Sequence, residues 1–412
     1  MFQAFKLKNS YSYWHILVLM VWARYPIMQY VSDVFFKLPF LNFMAESIVN
    51  ILFIIVILMS ASYWSMHIRK KYLAIFFVFE LVASAHIILY PENYDYFSQY
   101  AFDFMFYAIP VFLIGAMCDI REFEDEFYVI SLFSVILQLL YFVVYGGGSS
   151  LSAYMAEDIV ASYRLLPHVI MVVWQALKHV NVLNLVVSLS GSLLLVALGT
   201  RGPVVCLLAF VFLYIMFVKF IGSPKLIVPL GIIGAIIFVN IQYVLNQINE
   251  LILKLGLSTR IFSFLQSQNL NYESGRDDIR NALDHALAIS PPFGYGLAGD
   301  RRFVGGYAHN LYYELSMSFG VFLGPLLFIS VIAFFIIAFL KTKIESEKGF
   351  LLVLFCVSVL NLMFSGTFLT STFLFFFLGF CCHVNSSKNN PDQRVDSLTP
   401  KSKKHSFLSL KI

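Results

Sequence analysis

The chain has 412 residues, of which 59% are hydrophobic and only 13% are charged. Soluble domains contain about 25% charged residues, so this composition excludes an ordinary soluble globular protein and a disordered one. The formal net charge of +4 is too small to indicate a nucleic-acid partner. The five cysteines lie in or beside apolar runs and lack the spacing of a metal site. We therefore predict neither a bound metal nor a cofactor.

Apolar runs of about 20 residues, the length that crosses a bilayer as a helix, recur along the chain. The first run contains Arg24 and is not followed by a small-residue cleavage site, so we interpret it as a retained span. The predicted fold is an all-α polytopic membrane protein of about twelve spans. They lie near 11–30, 42–64, 72–90, 97–118, 127–145, 159–177, 181–198, 203–220, 225–245, 310–340, 349–366 and 368–384.

Lys and Arg residues in the connections predict the orientation of the spans. Most of the 28 basic residues fall on one side when both termini are placed in the cytoplasm. The longest outer connection then lies between spans nine and ten. The predicted organisation is a bundle of spans one to nine at 1–245, an extracytoplasmic loop with short helices at 246–309, spans ten to twelve at 310–384, and a basic, disordered cytoplasmic tail at 385–412.

The long outer loop is not of low complexity. A surface helix is predicted at 247–257, and a second helix is predicted to begin after Ser274. The second helix has an apolar stripe, and Arg276 and Arg280 lie one turn apart on one edge of it. The stripe contains Ile279, Ala282, Leu283, Ala286 and Leu287. A glycine-rich turn at 291–299 follows this helix.

Arginines at the outer ends of spans indicate an anionic ligand, because guanidinium groups match phosphate oxygens in bidentate fashion. Arg164 lies near the outer end of span six, Arg201 in the turn before span eight, and Arg276 in the loop. Three alternatives stay open, namely that Arg164 snorkels or pairs with an acidic neighbour, that Arg201 anchors a turn, and that Arg276 is solvated. Arg301 and Arg302 are expected to be solvated loop charges.

His309 lies where the long loop meets span ten, and a neutral imidazole there is suited to accept a proton from a hydroxyl. The alternative is a histidine that only caps the following helix or bonds a carbonyl oxygen.

Four motifs in this order resemble the O-antigen polymerase and ligase superfamily. They are the turn Thr200-Arg201-Gly202, the run Ser274-Gly275-Arg276, the turn Pro292-Phe293-Gly294-Tyr295-Gly296, and the segment from Ala308-His309-Asn310 through Glu314 to Gly324. The resemblance covers most of the chain.

This resemblance implies a metal-independent glycosyltransferase at the outer face of the inner membrane, which joins repeat units linked to undecaprenyl diphosphate into O-antigen or a related polysaccharide. His309, Arg276 and Arg201 are then the expected catalytic residues. The expected substrate-binding residues are Arg164, Arg280, Gly294, Gly296, Asn310 and Glu314. Expected partners are the lipid-linked glycans, membrane lipid and a chain-length regulator protein.

Two other functions stay open. A ligase that transfers the glycan to lipid A–core has the same motifs. A flippase for lipid-linked oligosaccharide belongs to another class, and it is disfavoured because the two halves of the chain do not match as transporter repeats often do.

The orientation is testable with reporter fusions along the chain. The charge distribution predicts an outside signal after Asp95, Ala153 and Asn269, and an inside signal after Lys71, Lys178 and Lys343. An inside signal after Asn269 would contradict an extracytoplasmic site.

Overall fold

The computed structural model describes residues 2–35, 39–145, 151–198, 200–219 and 276–386. Within these segments the chain is helical and contains no strand. The first eight helices are α1 (Phe2–Phe35), α2 (Pro39–His67), α3 (Lys70–Leu89), α4 (Pro91–Met117), α5 (Ile120–Tyr145), α6 (Leu151–Lys178), α7 (Val182–Ala197) and α8 (Arg201–Lys219). They are followed by α9 (Arg276–Ala288), α10 (Arg301–Val304), α11 (Leu311–Lys341), α12 (Glu345–Phe355) and α13 (Thr372–Ser386).

Seven helices of the described part are long and apolar enough to cross a membrane. They lie in α2, α3, α4, α5, α6, α8 and α11, while α7 and α13 contain shorter apolar stretches. The all-α class is thus confirmed for the described residues, and the long apolar helices support a membrane protein. Eleven of the predicted runs fall on helices, and the ninth, at 225–245, lies outside the described residues. The number of twelve spans stays a prediction.

Contacts among the segments that connect the helices define the two ends of the bundle. At one end the amide of Asn93 donates to the carbonyl oxygens of Tyr295 and Leu297, at 2.5 and 3.1 Å. At the other end Lys178 Nζ bonds to Glu124, and Lys71 Nζ bonds to Ser386 at 2.8 Å. The sequence placed the first set of connections outside and the second in the cytoplasm. The structure groups these connections as the sequence predicted. The side of the membrane that each end faces stays a prediction.

A single break divides the apolar run predicted at 310–340. Gly320 has φ +88° and ψ 169° inside α11, a conformation that residues with a Cβ rarely adopt. The glycine-rich turn fills this break, since the backbone N–H of Tyr295 donates to the carbonyl oxygen of Met317 at 2.7 Å. A Cβ on Gly320 would collide with the carbonyl oxygen of Pro292. The break therefore fixes the turn against the first part of α11.

Two glycines allow α4 and α13 to pack with their backbones in contact. A Cβ on Gly115 would collide with the carbonyl oxygen of Phe376, and one on Gly379 would collide with that of Phe112. Small residues at such interfaces are the usual means of close approach between membrane helices.

Adding a methyl group at this interface tests that packing. We expect Gly115→Ala and Gly379→Ala each to lower the free energy of unfolding by about 1–3 kcal/mol, as overpacked cores do. Gly306→Ala is the matched control, because no atom lies within 4 Å of a Cβ built there. Thermal unfolding of the purified protein in detergent measures the difference. Equal stability of all three variants would contradict the described contact.

Candidate functional site

A cavity of about 250 Å³ opens at the end of the bundle where α6, the segment before α11 and the connection between α12 and α13 meet. Tyr163 and Arg164 contribute the α6 wall, Tyr307 the loop wall, and Asn361 and Ser365 the opposite wall. The backbone widens into a π-helix at Cys356–Leu360 beside this wall, a feature that is frequent at functional sites. The cavity thus combines apolar walls with a few polar groups, which is usual for a binding site.

Tyr163 connects the cavity wall with two of the predicted arginine motifs. Its hydroxyl lies near the Ser365 hydroxyl and the Arg276 guanidinium, both of which act on it electrostatically. A Cβ on Gly202 would collide with the same hydroxyl, so the start of α8 lies directly beside it. Arg201 is the first residue of α8 and therefore lies at the same end of the bundle as Arg276. Arg201 is exposed.

His309 adjoins the cavity through Tyr307, since the two ring centroids are 4.1 Å apart. It has φ +54°, a left-handed conformation that is uncommon for a residue with a side chain. Asn310 is the N-cap of α11, because its side chain accepts from the backbone N–H groups of Tyr312 and Tyr313. The interpretation of His309 as a helix cap is therefore wrong. Strained residues of this kind cluster at functional sites.

The electrostatic surroundings keep His309 neutral. Burial and the positive charges of Arg276 and Arg301 lower the pKa of His309 below its ordinary value. Its Nδ1 is buried and has no hydrogen-bond partner among the described residues, and the same holds for Oδ1 of Asn361 in the cavity wall. These two atoms are available to hydrogen-bond a ligand, and a neutral imidazole is suited to accept a proton.

A buried charge cluster lies behind the cavity. Arg301 donates to Asp300 and forms an ion pair with Glu314 at 2.9 Å. It also donates to the Thr367 hydroxyl at 2.7 Å. Glu314 accepts from the backbone N–H of Phe368 at 2.9 Å, and Asp300 accepts from that of Ala308 at 2.8 Å. The cluster joins the loop before His309 to the connection after α12, and these two segments form opposite walls of the cavity.

The prediction that Arg301 is a solvated loop charge is wrong, because only 2% of its surface is exposed. Burial lowers the pKa of Arg301, but the carboxylates of Glu314 and Asp300 outweigh this and raise it above the ordinary value. Arg302 does have the expected exposed position, and it pairs with Glu92 at 3.2 Å. This difference could not be predicted from the sequence, since Glu314 and Thr367, which also bind Arg301, come from distant segments.

Eight of the nine predicted site residues fall into three settings, and the ninth, Arg201, begins α8. Arg164, Arg276 and His309 lie at or beside the cavity. Four others lie in the framework: Gly294 against Gly320, Gly296 against the Tyr90 ring, Asn310 as a cap, and Glu314 in the buried cluster. Arg280 is exposed and pairs with Asp277 at 3.8 Å. None of these five lines the cavity, so their roles in substrate binding stay predictions.

The helix predicted after Ser274 is confirmed as α9. Leu283 and Ala286 of its apolar stripe are buried, and Ile279 and Leu287 pack around them against Met317 of α11. The helix predicted at 247–257 and the capping residue Ser274 lie outside the described residues.

Comparisons of the chain with protein-family models, curated proteins and solved structures found no match. The residues and geometry of the cavity end are therefore the basis for the function proposed below.

Arg301 and Arg302 are adjacent and form a matched pair for testing the buried cluster. We expect Arg301→Ala to lower the free energy of unfolding by about 3–5 kcal/mol, because it leaves two buried carboxylates without their cation. Arg302→Ala should cost about 0–1 kcal/mol, as expected for an exposed ion pair. Unfolding in mixed detergent micelles measures both values. A loss at Arg301 no larger than that at Arg302 would contradict the buried position.

Proposed function

We propose that the chain is a polymerase of oligosaccharide repeat units linked to undecaprenyl diphosphate, acting at the outer face of the inner membrane. The observation that supports it best is the position of Arg276. This residue lies near Tyr163 in the cavity wall, and its charge acts on both Tyr163 and His309. A cation for a diphosphate and a neutral base for a sugar hydroxyl are thus close together beside one cavity.

In this proposal, a hydroxyl of the incoming repeat unit attacks the anomeric carbon of the growing glycan. The bond between that carbon and the diphosphate oxygen breaks, and undecaprenyl diphosphate leaves with the bonding electrons. His309 accepts the proton of the attacking hydroxyl. Arg276 and Arg201 stabilise the negative charge that develops on the diphosphate, and fixed charges are most effective in a site shielded from water. Arg164 binds the same group from the α6 wall.

The framework around the cavity supports this assignment of roles. Asp300 accepts from the Ala308 N–H and so positions the residue before His309. Glu314 is buried and bound to Arg301 and Thr367, so in this proposal it positions the cavity wall and does not itself contact substrate. The proposal requires no metal, since the charge of the leaving group is balanced by arginine.

Glycolipid gels of cells that produce His309→Ala test the function. We expect polymerisation to fall by about 10²–10⁴-fold, the usual contribution of general acid–base catalysis. Membrane levels should stay normal, because His309 lies outside the packed bundle core. Lipid A–core with a single repeat unit should then accumulate. Arg302→Lys is the control and should retain normal chain length.

The same gels separate polymerase from its rivals. Bare core with stranded lipid-linked chains would indicate a ligase, and the absence of both products at the outer face would indicate a flippase. Normal chain length in a well-expressed His309→Ala variant would remove His309 as the base.

The pH dependence of polymerisation tests the link between Arg276 and His309. A base must be neutral, and a lowered pKa keeps His309 neutral to lower pH than an ordinary histidine. Activity should therefore persist as pH falls through about 6.5, the ordinary histidine value. Arg276→Gln removes one of the charges that lower this pKa, so the acid limit of its residual activity should move to higher pH.

Arg280→Gln is the matched control, because Arg280 lies one turn away on α9 and pairs with Asp277. Its acid limit should coincide with that of the unaltered protein. An unmoved limit in Arg276→Gln would show that His309 is not the titrating base.

A further inference from the structure

A second and larger cavity lies among α1, α2, α3 and α4. Its volume is about 410 Å³, which is within the range of small-molecule sites. It shares no lining residue with the 250 Å³ cavity of the candidate site. Its walls are almost entirely apolar. Five of the lining side chains are aromatic, namely Trp14, Trp64, Phe76, Phe77 and Phe106.

The cavity opens on the surface that a membrane would surround. Phe77 and Phe106 line it and are 62% and 57% exposed, so they lie at its rim. Its α4 wall runs from Met105 to Met117, which is about 18 Å along a helix axis. This length exceeds half the thickness of the hydrocarbon core of a bilayer. An apolar compound dissolved in the membrane can therefore reach the cavity without crossing water.

Glu80 is the exception in this apolar cavity. It has the only charged side chain among the described residues that line the cavity. It lies at the centre of α3, which is one of the helices long and apolar enough to cross a membrane. Its carboxylate forms no hydrogen bond or ion pair with any described residue. Ionisable side chains inside a membrane usually pair with a partner, so an unpaired one indicates a functional site.

The groups around the cavity determine the charge of the ligand that fits. A hydrocarbon chain would fill the apolar walls but leave the carboxylate unpaired, and an anion would be repelled by it. A metal ion needs several ligands, and no group of three His, Cys, Asp or Glu residues that could hold one occurs in the described part of the chain. An organic cation suits both features, because aromatic faces and a carboxylate each attract positive charge.

We propose that this cavity binds a lipophilic organic cation, namely a hydrophobic ammonium or phosphonium compound, which enters from the bilayer. The cation pairs with the Glu80 carboxylate, and its apolar groups contact the aromatic walls. Two of these rings are already fixed in place. Trp14 stacks on Tyr63 with ring centroids 5.6 Å apart, and the indole N–H of Trp64 donates to the carbonyl oxygen of Ile57 at 3.4 Å. The site is thus preformed, and it does not depend on the proposed polymerase function.

Equilibrium dialysis of the purified full chain in detergent against tetraphenylphosphonium tests the proposal. Tetraphenylborate is the matched probe, because it has nearly the same size and shape but the opposite charge. We expect saturable binding of the cation, with one site per chain, and no saturable binding of the anion. Equal binding of the two ions, or no saturable binding of the cation, would overturn the proposal.

Glu80→Gln tests the carboxylate itself, because it removes the charge at nearly constant volume. We expect this change to weaken the binding of tetraphenylphosphonium by at least about tenfold, which corresponds to about 1.4 kcal/mol. Glu92→Gln is the matched control and should bind as the unaltered protein does, because Glu92 lies outside the cavity and pairs with Arg302.

The melting temperature of each variant, measured without the probe, shows whether it is folded. Unchanged affinity in a folded Glu80→Gln variant, or an equal loss in Glu92→Gln, would contradict the proposed site. The comparison of the two ions on the unaltered protein does not depend on the stability of either variant.

Discussion

The buried guanidinium of Arg301 is the interaction on which the cavity end depends. It lies between the carboxylates of Asp300 and Glu314 and also bonds to Thr367. Burying these charges is costly, and the cost is offset only when each finds its partners. The three groups therefore stabilise one another and fix the segments that contain them. Removing the cation would leave two carboxylates without compensation.

This cluster holds the two opposite walls of the cavity in place. Asp300 holds the backbone just before His309, and Glu314 holds the backbone of Phe368 in the opposite segment. Between these segments lies the cavity with Arg164 and Tyr163 on its α6 wall. The left-handed conformation of His309 persists because the residues on both sides are held. In the proposed mechanism, this framework holds the base His309 beside the arginines of the cavity without requiring either to move.

The helical framework follows from the sequence because apolar length and charge placement determine it directly. The runs predicted for α1 to α8 and α11 to α13 fall on helices, and the stripe of α9 is buried as its periodicity indicated. The connection between α12 and α13 is longer than predicted. Its turn at Gly366 has φ +88°, and the residues around that turn form part of the cavity wall.

The site was harder to predict from the sequence than the helices, because its key contacts join segments that are distant in sequence. Arg301 and Arg302 look alike in the sequence, yet one is buried and the other exposed. Tyr163 was not singled out, although it lies near Arg276 and packs against Gly202. The glycines of the turn at 291–299 were recognised in the sequence, but in the structure they allow this turn to lie close to α11. The motifs and interfacial positions of His309 and Arg276 singled them out in the sequence, and both lie beside the cavity, whereas their chemical roles stay predictions.

The most direct test of the account is a structure of the protein in a lipid nanodisc with a bound undecaprenyl-diphosphate-linked oligosaccharide. The account predicts the diphosphate in the 250 Å³ cavity, within hydrogen-bonding distance of Arg164 or Arg276, with the first sugar beside His309. A diphosphate bound elsewhere on the protein, with His309 distant from the sugar, would contradict it.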